Sequence, residues 1–317
     1  MKIFIEYDLK NQSGKGFFIQ RLTAQWDKMG IKYSDKENGC DARLAVTRFR
    51  TKSKLPTLLR IDGSYNEIPS GNVKDKKRLI NSMNWKNKKM RENIKKSAGV
   101  IWQSEFCRKM GIAMLKIKPR KEFVIFNGAS PGEFFPHNPG PNVVMSAHWK
   151  NRTHKRLKEM LQIAEAYSAD HPDIFFHVLG DYQGKFKKHK NIKFYGRVNQ
   201  EKMKEVFSIS SCMLNICYAD WCPNAVVEAL VAGVPVICTA NHGVSEIVKD
   251  TGVIVDIDDP IPTKHFRMAE NKPIKSLLPV YKALDKVMIE KVNFPRAEHL
   301  YIESVAKQYA DAFRSIL

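Results

Sequence analysis

Short apolar runs recur along the chain with amphipathic or polar stretches between them, and their spacing predicts alternating strands and helices. In the first half MKIFIEY, DARLAVTRF, LPTLLRIDG, AGVIWQS and FVIFNG read as strands. SGKGFFIQRLTAQWDKMG reads as a loop and helix, with Phe18, Leu22, Trp26 and Met29 at helical spacing. A long basic helix is expected over 82–97 and a short one in EFCRKMG. The Pro- and Gly-rich ASPGEFFPHNPGP, residues 129–141, marks a linker. The alternation then restarts with the strands NVVMSAHW, IFFHVLGD, IKFYGRV, CMLNICY and TGVIVDI, and with the helices THKRLKEMLQIAEAYSA and NQEKMKEVFSIS. Strands interleaved with helices imply parallel sheets covered on both faces, so the expected class is α/β with two doubly wound, Rossmann-like units. Ligands of such sheets bind beyond the carboxyl ends of the strands, which places the expected site in the cleft between the units.

Length supports two units, since 317 residues exceed one ordinary domain. Cysteine usage points to a reducing compartment. The six cysteines, at 40, 107, 212, 217, 222 and 238, form no Cys-x-x-Cys and read as small apolar core residues. No apolar run approaches the length of a membrane span. MKIFIEYDLK turns acidic and polar too early for a signal peptide, so the expected location is cytoplasmic, peripheral to DNA or to an inner membrane surface. Charge adds most to the picture. Residues 1–140 hold 29 basic and 13 acidic side chains, net +16, whereas residues 141–317 hold 24 and 20, net +4. Either the first half meets a polyanion or an anionic surface, or its lysines make a solvated face.

Four segments offer chemistry. DWCPNAVVEALVAGVPVI, residues 220–237, predicts a helix from Pro223 to about Ala232 and a strand from Val234 to Thr239. Asp220 precedes that helix and Glu228 lies roughly 7 to 8 Å along it, so the two acids can line one pocket without touching. The alternative is an acid that complements the helix dipole and a solvated glutamate. In SGKGFF, Gly14 and Gly16 would let a phosphate or sugar approach a helix start, although a plain turn fits as well. SAHWKNRTHKRL puts Lys150 and Lys155 between a strand and a helix, where cations can neutralise a diphosphate leaving group. NHGVSE adds backbone N–H groups at Gly243 and Val244. No cluster with metal-ligand spacing is present, and no metal is expected.

Residues 141–250 resemble the nucleotide-sugar-binding domain of glycosyltransferase family 4, retaining enzymes of the GT-B fold. The Lys150–Lys155 loop, VLGD at 178–181, FYGRV at 194–198 and Asp220-x7-Glu228 followed by ALVAGVPVICT and HGVSEIV carry the likeness. SGKG, VIWQSEF and FNGASPGEF extend it more loosely into the first half. The resemblance, which includes phage-type members, implies an acceptor-side unit over 1–140, a donor-side unit over 141–299, and a helix over 300–317 that packs back on the first unit. It implies that Glu228 accepts hydrogen bonds from ribose hydroxyls and Asp220 holds the donor sugar. Lys150 and Lys155 would sit on the diphosphate of a UDP- or GDP-sugar, Asn224 would join the donor pocket, and no cofactor or metal would be needed. Asp62, in LLRIDG, takes the place where the family often has a histidine. The basic run from Lys74 to Lys96, with Trp85 among its lysines, points the acceptor toward DNA with hydroxylated bases, or toward a lipid-linked glycan at an anionic membrane. The rival reading is a silent binder of nucleotide sugar or nucleic acid.

Overall fold

The computed structural model of the chain describes residues 1–65, 76–150, 152–258 and 274–317. Two six-stranded parallel sheets carry the architecture. The first has the order β2-β1-β3-β4-β5-β6, from Lys32–Ser34, Lys2–Glu6, Ala42–Val46, Thr57–Ile61, Gly99–Trp102 and Glu122–Val124. The second has the order β12-β11-β10-β7-β8-β9, from Gly252–Val255, Val236–Thr239, Ser210–Asn215, Gly140–Ser146, Phe175–Leu179 and Ile192–Gly196. Strands such as ARLAV and TLLRI are buried along their whole length, which is what a sheet covered on both faces requires. The expected α/β class and double winding are therefore present. The edge strand β2 escaped the sequence reading because three residues, two of them polar, carry no usable period.

In the first sheet, α1 (Gly14–Lys28) and α9 (Ile302–Arg314) share one face. Trp26 meets Phe313 edge-on at 6.0 Å and donates from Nε1 to the carbonyl of Ala306. The last helix thus completes a core begun by the first. The other face carries α2 (Lys76–Lys96) and α3 (Glu105–Leu115) over Ala45, Leu59, Val100 and Trp102. Helix α2 begins about six residues before its expected start and buries Met83, Asn87, Met90 and Ile94, while Lys77, Arg78, Trp85, Lys88, Lys89, Lys95 and Lys96 face outward. Lys74 and Asp75 lie outside the described residues.

The second sheet is covered by α4 (Leu157–Asp170), α5 (Gln200–Ile209), α6 (Asn224–Val231), α7 (Gly243–Val248) and α8 (Leu278–Met288). Two expected boundaries move. The stretch THKR makes a short 3-10 turn, Thr153–Lys155, and Arg156 then adopts φ 56, so α4 starts at Leu157. Arg156 is fully buried with its guanidinium 5.5 Å from the Tyr218 ring, a contact that offsets the cost of left-handed backbone in part. Pro223 is the N-cap of α6 rather than its first residue. The helix closes as a Schellman motif: Gly233, at φ 90, donates to the Leu230 carbonyl and Val234 to that of Ala229, which holds Val234 out of β11 until Val236.

All six cysteines are buried and unbridged. No described helix is long and apolar enough to cross a membrane.

Candidate functional site

Three strand ends of the second sheet supply the predicted donor residues. Lys150 follows β7 and is exposed, and its N–H and that of Trp149 both donate to the Asp181 carbonyl at 2.9 Å. Lys155 leaves the 3-10 turn pointing inward, is 6% exposed, and its Nζ forms an ion pair with the carboxylate of Asp220. Asp220 also accepts from the N–H of Trp221 at 3.0 Å. Burial alone would neutralise this acid, but Lys155 outweighs it and holds the carboxyl below its ordinary range. Lys155 and Asp220, expected on separate parts of the donor, are thus one buried pair. The neighbouring His154 is pushed down to about 3, by burial first and Lys155 second, so it is neutral.

Glu228 sits in the middle of α6, 4% exposed. It is not a solvated helix residue. Its Oε1 accepts from Arg21 Nη1 at 2.7 Å, and Arg21 Nε donates to Glu133 Oε2 at 2.8 Å. Arg21 comes from α1, so the acid of one unit meets a cation of the other. Burial lowers the affinity of Arg21 for its proton, yet the two carboxylates more than offset that and keep it charged. Burial raises the Glu228 carboxyl, with Arg21 opposing.

Neighbouring groups of the chain pack closely into both predicted anion cradles. A side chain at Gly16 would meet the Asn11 carbonyl at 1.9 Å, so that glycine serves the fold of its own loop, and its N–H is taken by the N-cap Ser13. Gly14 is approached by Asn224, whose Nδ2 donates to the Gly14 carbonyl at 2.7 Å. The N–H of Gly243 donates to the Asp220 carbonyl at 3.0 Å, and a Cβ there would strike the Trp221 carbonyl at 2.0 Å. Gly243 therefore lets α7 close against the Asp220 loop. Val244 is the next residue of that helix start and is buried.

Asp62 stands just beyond β4 and gathers residues that the sequence reading passed over. Its carboxylate pairs with the fully buried Arg60, with Lys15 at 2.7 Å, and accepts from Thr47 at 3.1 Å and Gln103 at 2.8 Å. Burial works against its charge, but Arg60 and Lys15 prevail and lower the carboxyl below the usual range. Lys15 lies inside SGKG, between the two glycines that the sequence singles out. Thr47 has φ 67, rare for a β-branched residue, and such strain concentrates at functional sites. From Gln103 the network runs through Asn127 to Asn224 at 2.5 Å and so reaches α6. Ser104 donates to the Trp221 carbonyl, and Glu246 of α7 accepts from the first two N–H groups of α3. The cleft is closed by these contacts.

Among the described residues no three His, Cys, Asp or Glu side chains gather as a metal site. A cavity of about 810 Å³ lies at the opposite, amino edge of the second sheet, between Phe134, His137, Gly233 and Phe294, away from Lys155, Asp220 and Glu228. Helix α2 crosses the first unit from the carboxyl edge of β4 to the amino edge of β5, so Lys95 and Lys96, about 27 Å along from Lys77, lie far from the cleft.

Residues 134–261 match the family described as Glycosyl transferases group 1. No curated protein matches the chain. Solved structures match over its whole length. AviGT4, a glycosyltransferase involved in avilamycin A biosynthesis, shares 12% identity with a TM-score of 0.62, over 99% of this chain and 97% of that one. The apo form of WaaB, a lipopolysaccharide outer core galactosyltransferase, shares 14% with a TM-score of 0.63, covering 100% of both. Anabaena Alr3699/HepE, in complex with UDP and glucose, shares 11% with a TM-score of 0.62, over 99% of each chain. At these identities the likeness is one of fold, and the fold is GT-B.

Proposed function

We propose, from a GT-B scaffold whose second half matches group 1 glycosyl transferases, that this chain moves a sugar from a nucleotide-diphosphate donor to a polyanionic acceptor, retaining the anomeric configuration and using no metal. The observation that carries the reading is the set of Lys155, Asp220 and Glu228 following strands of the second sheet, joined to Asp62 of the first unit through Gln103, Asn127 and Asn224. Lys150 and Lys155 neutralise the departing diphosphate, which is the costly event of the transfer. Glu228 accepts from the ribose hydroxyls. Asp220, kept ionised by Lys155, orients hydroxyls of the donor sugar. Asp62 is held ionised and cannot donate a proton, so its part is to offset positive charge developing on the transferred sugar. The diphosphate itself takes the acceptor's proton on the same face. The excess charge of residues 1–140 fits a polyanionic acceptor, and because α2 buries Met83, Met90 and Ile94 and exposes Trp85 alone among its large apolar residues, DNA with hydroxylated bases is favoured over a lipid-linked glycan at an anionic membrane.

Calorimetric titration with UDP- and GDP-sugars in the presence of EDTA tests the donor half of this reading. A UDP-sugar is the first donor to try, because HepE, of the same fold, binds UDP-glucose. The reading expects at least one nucleotide sugar to bind in EDTA. Binding of none, or binding only with added manganese or magnesium, overturns it.

A further inference from the structure

Between β3 and β4 the chain returns across the sheet without a helix, through residues 47–56. Within that strap the sequence RFRTKSK, residues 48–54, sets a cation at every second position. The residues between are tied down. Phe49 lies under the buried Arg43 guanidinium at 4.2 Å and joins the core that holds Met90 and Ile94 of α2. Thr51 gives its N–H and hydroxyl to Glu6 Oε1 at 2.5 and 2.6 Å, an oxygen that also takes the Arg50 N–H. Ser53 donates to Glu37 at 2.6 Å. Arg48, Arg50, Lys52 and Lys54 are all exposed. Arg50 rests 5.0 Å from the Tyr7 ring, and among the described residues none of the four is in an ion pair. The acids of this region are taken by Arg43, Lys15, Ser53 and backbone N–H groups, so the fold uses its local negative charge to hold the strap and leaves the outward row positive.

We propose that this row is a ladder that grips successive phosphates of a nucleic acid strand and leads it to the transfer site. Alternate residues of an open chain stand no more than about 7 Å apart, within the step between neighbouring phosphates of one strand. The strap starts at Thr47, whose hydroxyl touches both Lys15 and Asp62, so the first rung adjoins the expected position of the transferred sugar. An anionic lipid surface fits less well, because the exposed side of the strap carries no apolar residue to insert. As an acceptor subsite the ladder rests on the transferase reading; as a phosphate-binding row it stands without it.

The test is the salt dependence of binding to a short fluorescent oligonucleotide, single-stranded and duplex. Four phosphate contacts contribute a slope of about −2.8 on a single strand and about −3.6 on a duplex in log K against log salt. Arg48→Ser/Arg50→Ser/Lys52→Ser/Lys54→Ser should flatten the slope by about 3, and Lys52→Ser/Lys54→Ser alone by about 1.5. Lys282→Ser/Lys286→Ser, exposed on α8 of the other unit, should leave it unchanged. Equal loss in that control, or wild-type protein that ignores DNA, whether or not it binds anionic vesicles, overturns the ladder. Nucleoside diphosphate release from a donor sugar, read on the wild-type protein, separates the two claims: DNA binding through the strap without release upholds the ladder and refutes the transferase.

Discussion

Glu228 shows how one residue can be half legible. Its helix and apolar neighbours are legible in AVVEALVA, but its partner is not, because Arg21 lies 207 residues away and only the fold brings them together. If Glu228 receives the ribose, Glu228→Gln should weaken donor binding by about 2 kcal/mol or more, read by calorimetry on folded protein. Lys155 gives a second test, in pH. Asp220 has a lowered carboxyl, so its pair contributes stability that is present above about pH 4 and lost as pH falls through the folded value. Lys155→Met leaves that acid buried without its cation and raises its carboxyl instead, so stability should now fall as pH rises from 4 toward 7. Breaking the pair should cost about 3–5 kcal/mol at neutral pH in urea denaturation. A variant that keeps the wild-type pH trend would show that Lys155 does not carry the charge of Asp220.

At the scale of elements, the strands were the most legible because burial on both faces leaves long apolar runs. Boundaries were less so where a tertiary contact decides them, as Arg156 does at the start of α4. DARLAVTRF has the pattern of one strand, yet β3 ends at Val46, where Thr47 turns left-handed with its hydroxyl on Lys15 and Asp62. Of the period-two cations only Arg48 falls inside that expected strand, which separates it from Arg50, Lys52 and Lys54. Helix α9 belongs to the first core although it closes the chain. Truncation of Phe313 to Ala should destabilise that core by about 3–5 kcal/mol, and an urea midpoint equal to wild type would refute the packing of α9 on α1.

For the whole molecule, the closed cleft is the feature that no local pattern announces. Gly63, at φ 116, lies against the indole of Trp221, and a Cβ there would come within 2.7 Å of its ring nitrogen. Gly63→Ala should hold the units apart, seen as a larger radius of gyration in X-ray scattering; an unchanged radius would mean that the contact does not set closure. The central claim is measurable without an acceptor, since water can take the acceptor's place slowly. The direct measurement is nucleoside diphosphate release from a panel of nucleotide sugars, by wild-type protein and by Lys155→Met. The account predicts slow release from at least one donor, unaffected by EDTA and lost in the variant. Wild-type protein that releases nothing from any of them, or a variant that releases as fast as wild type, would contradict it.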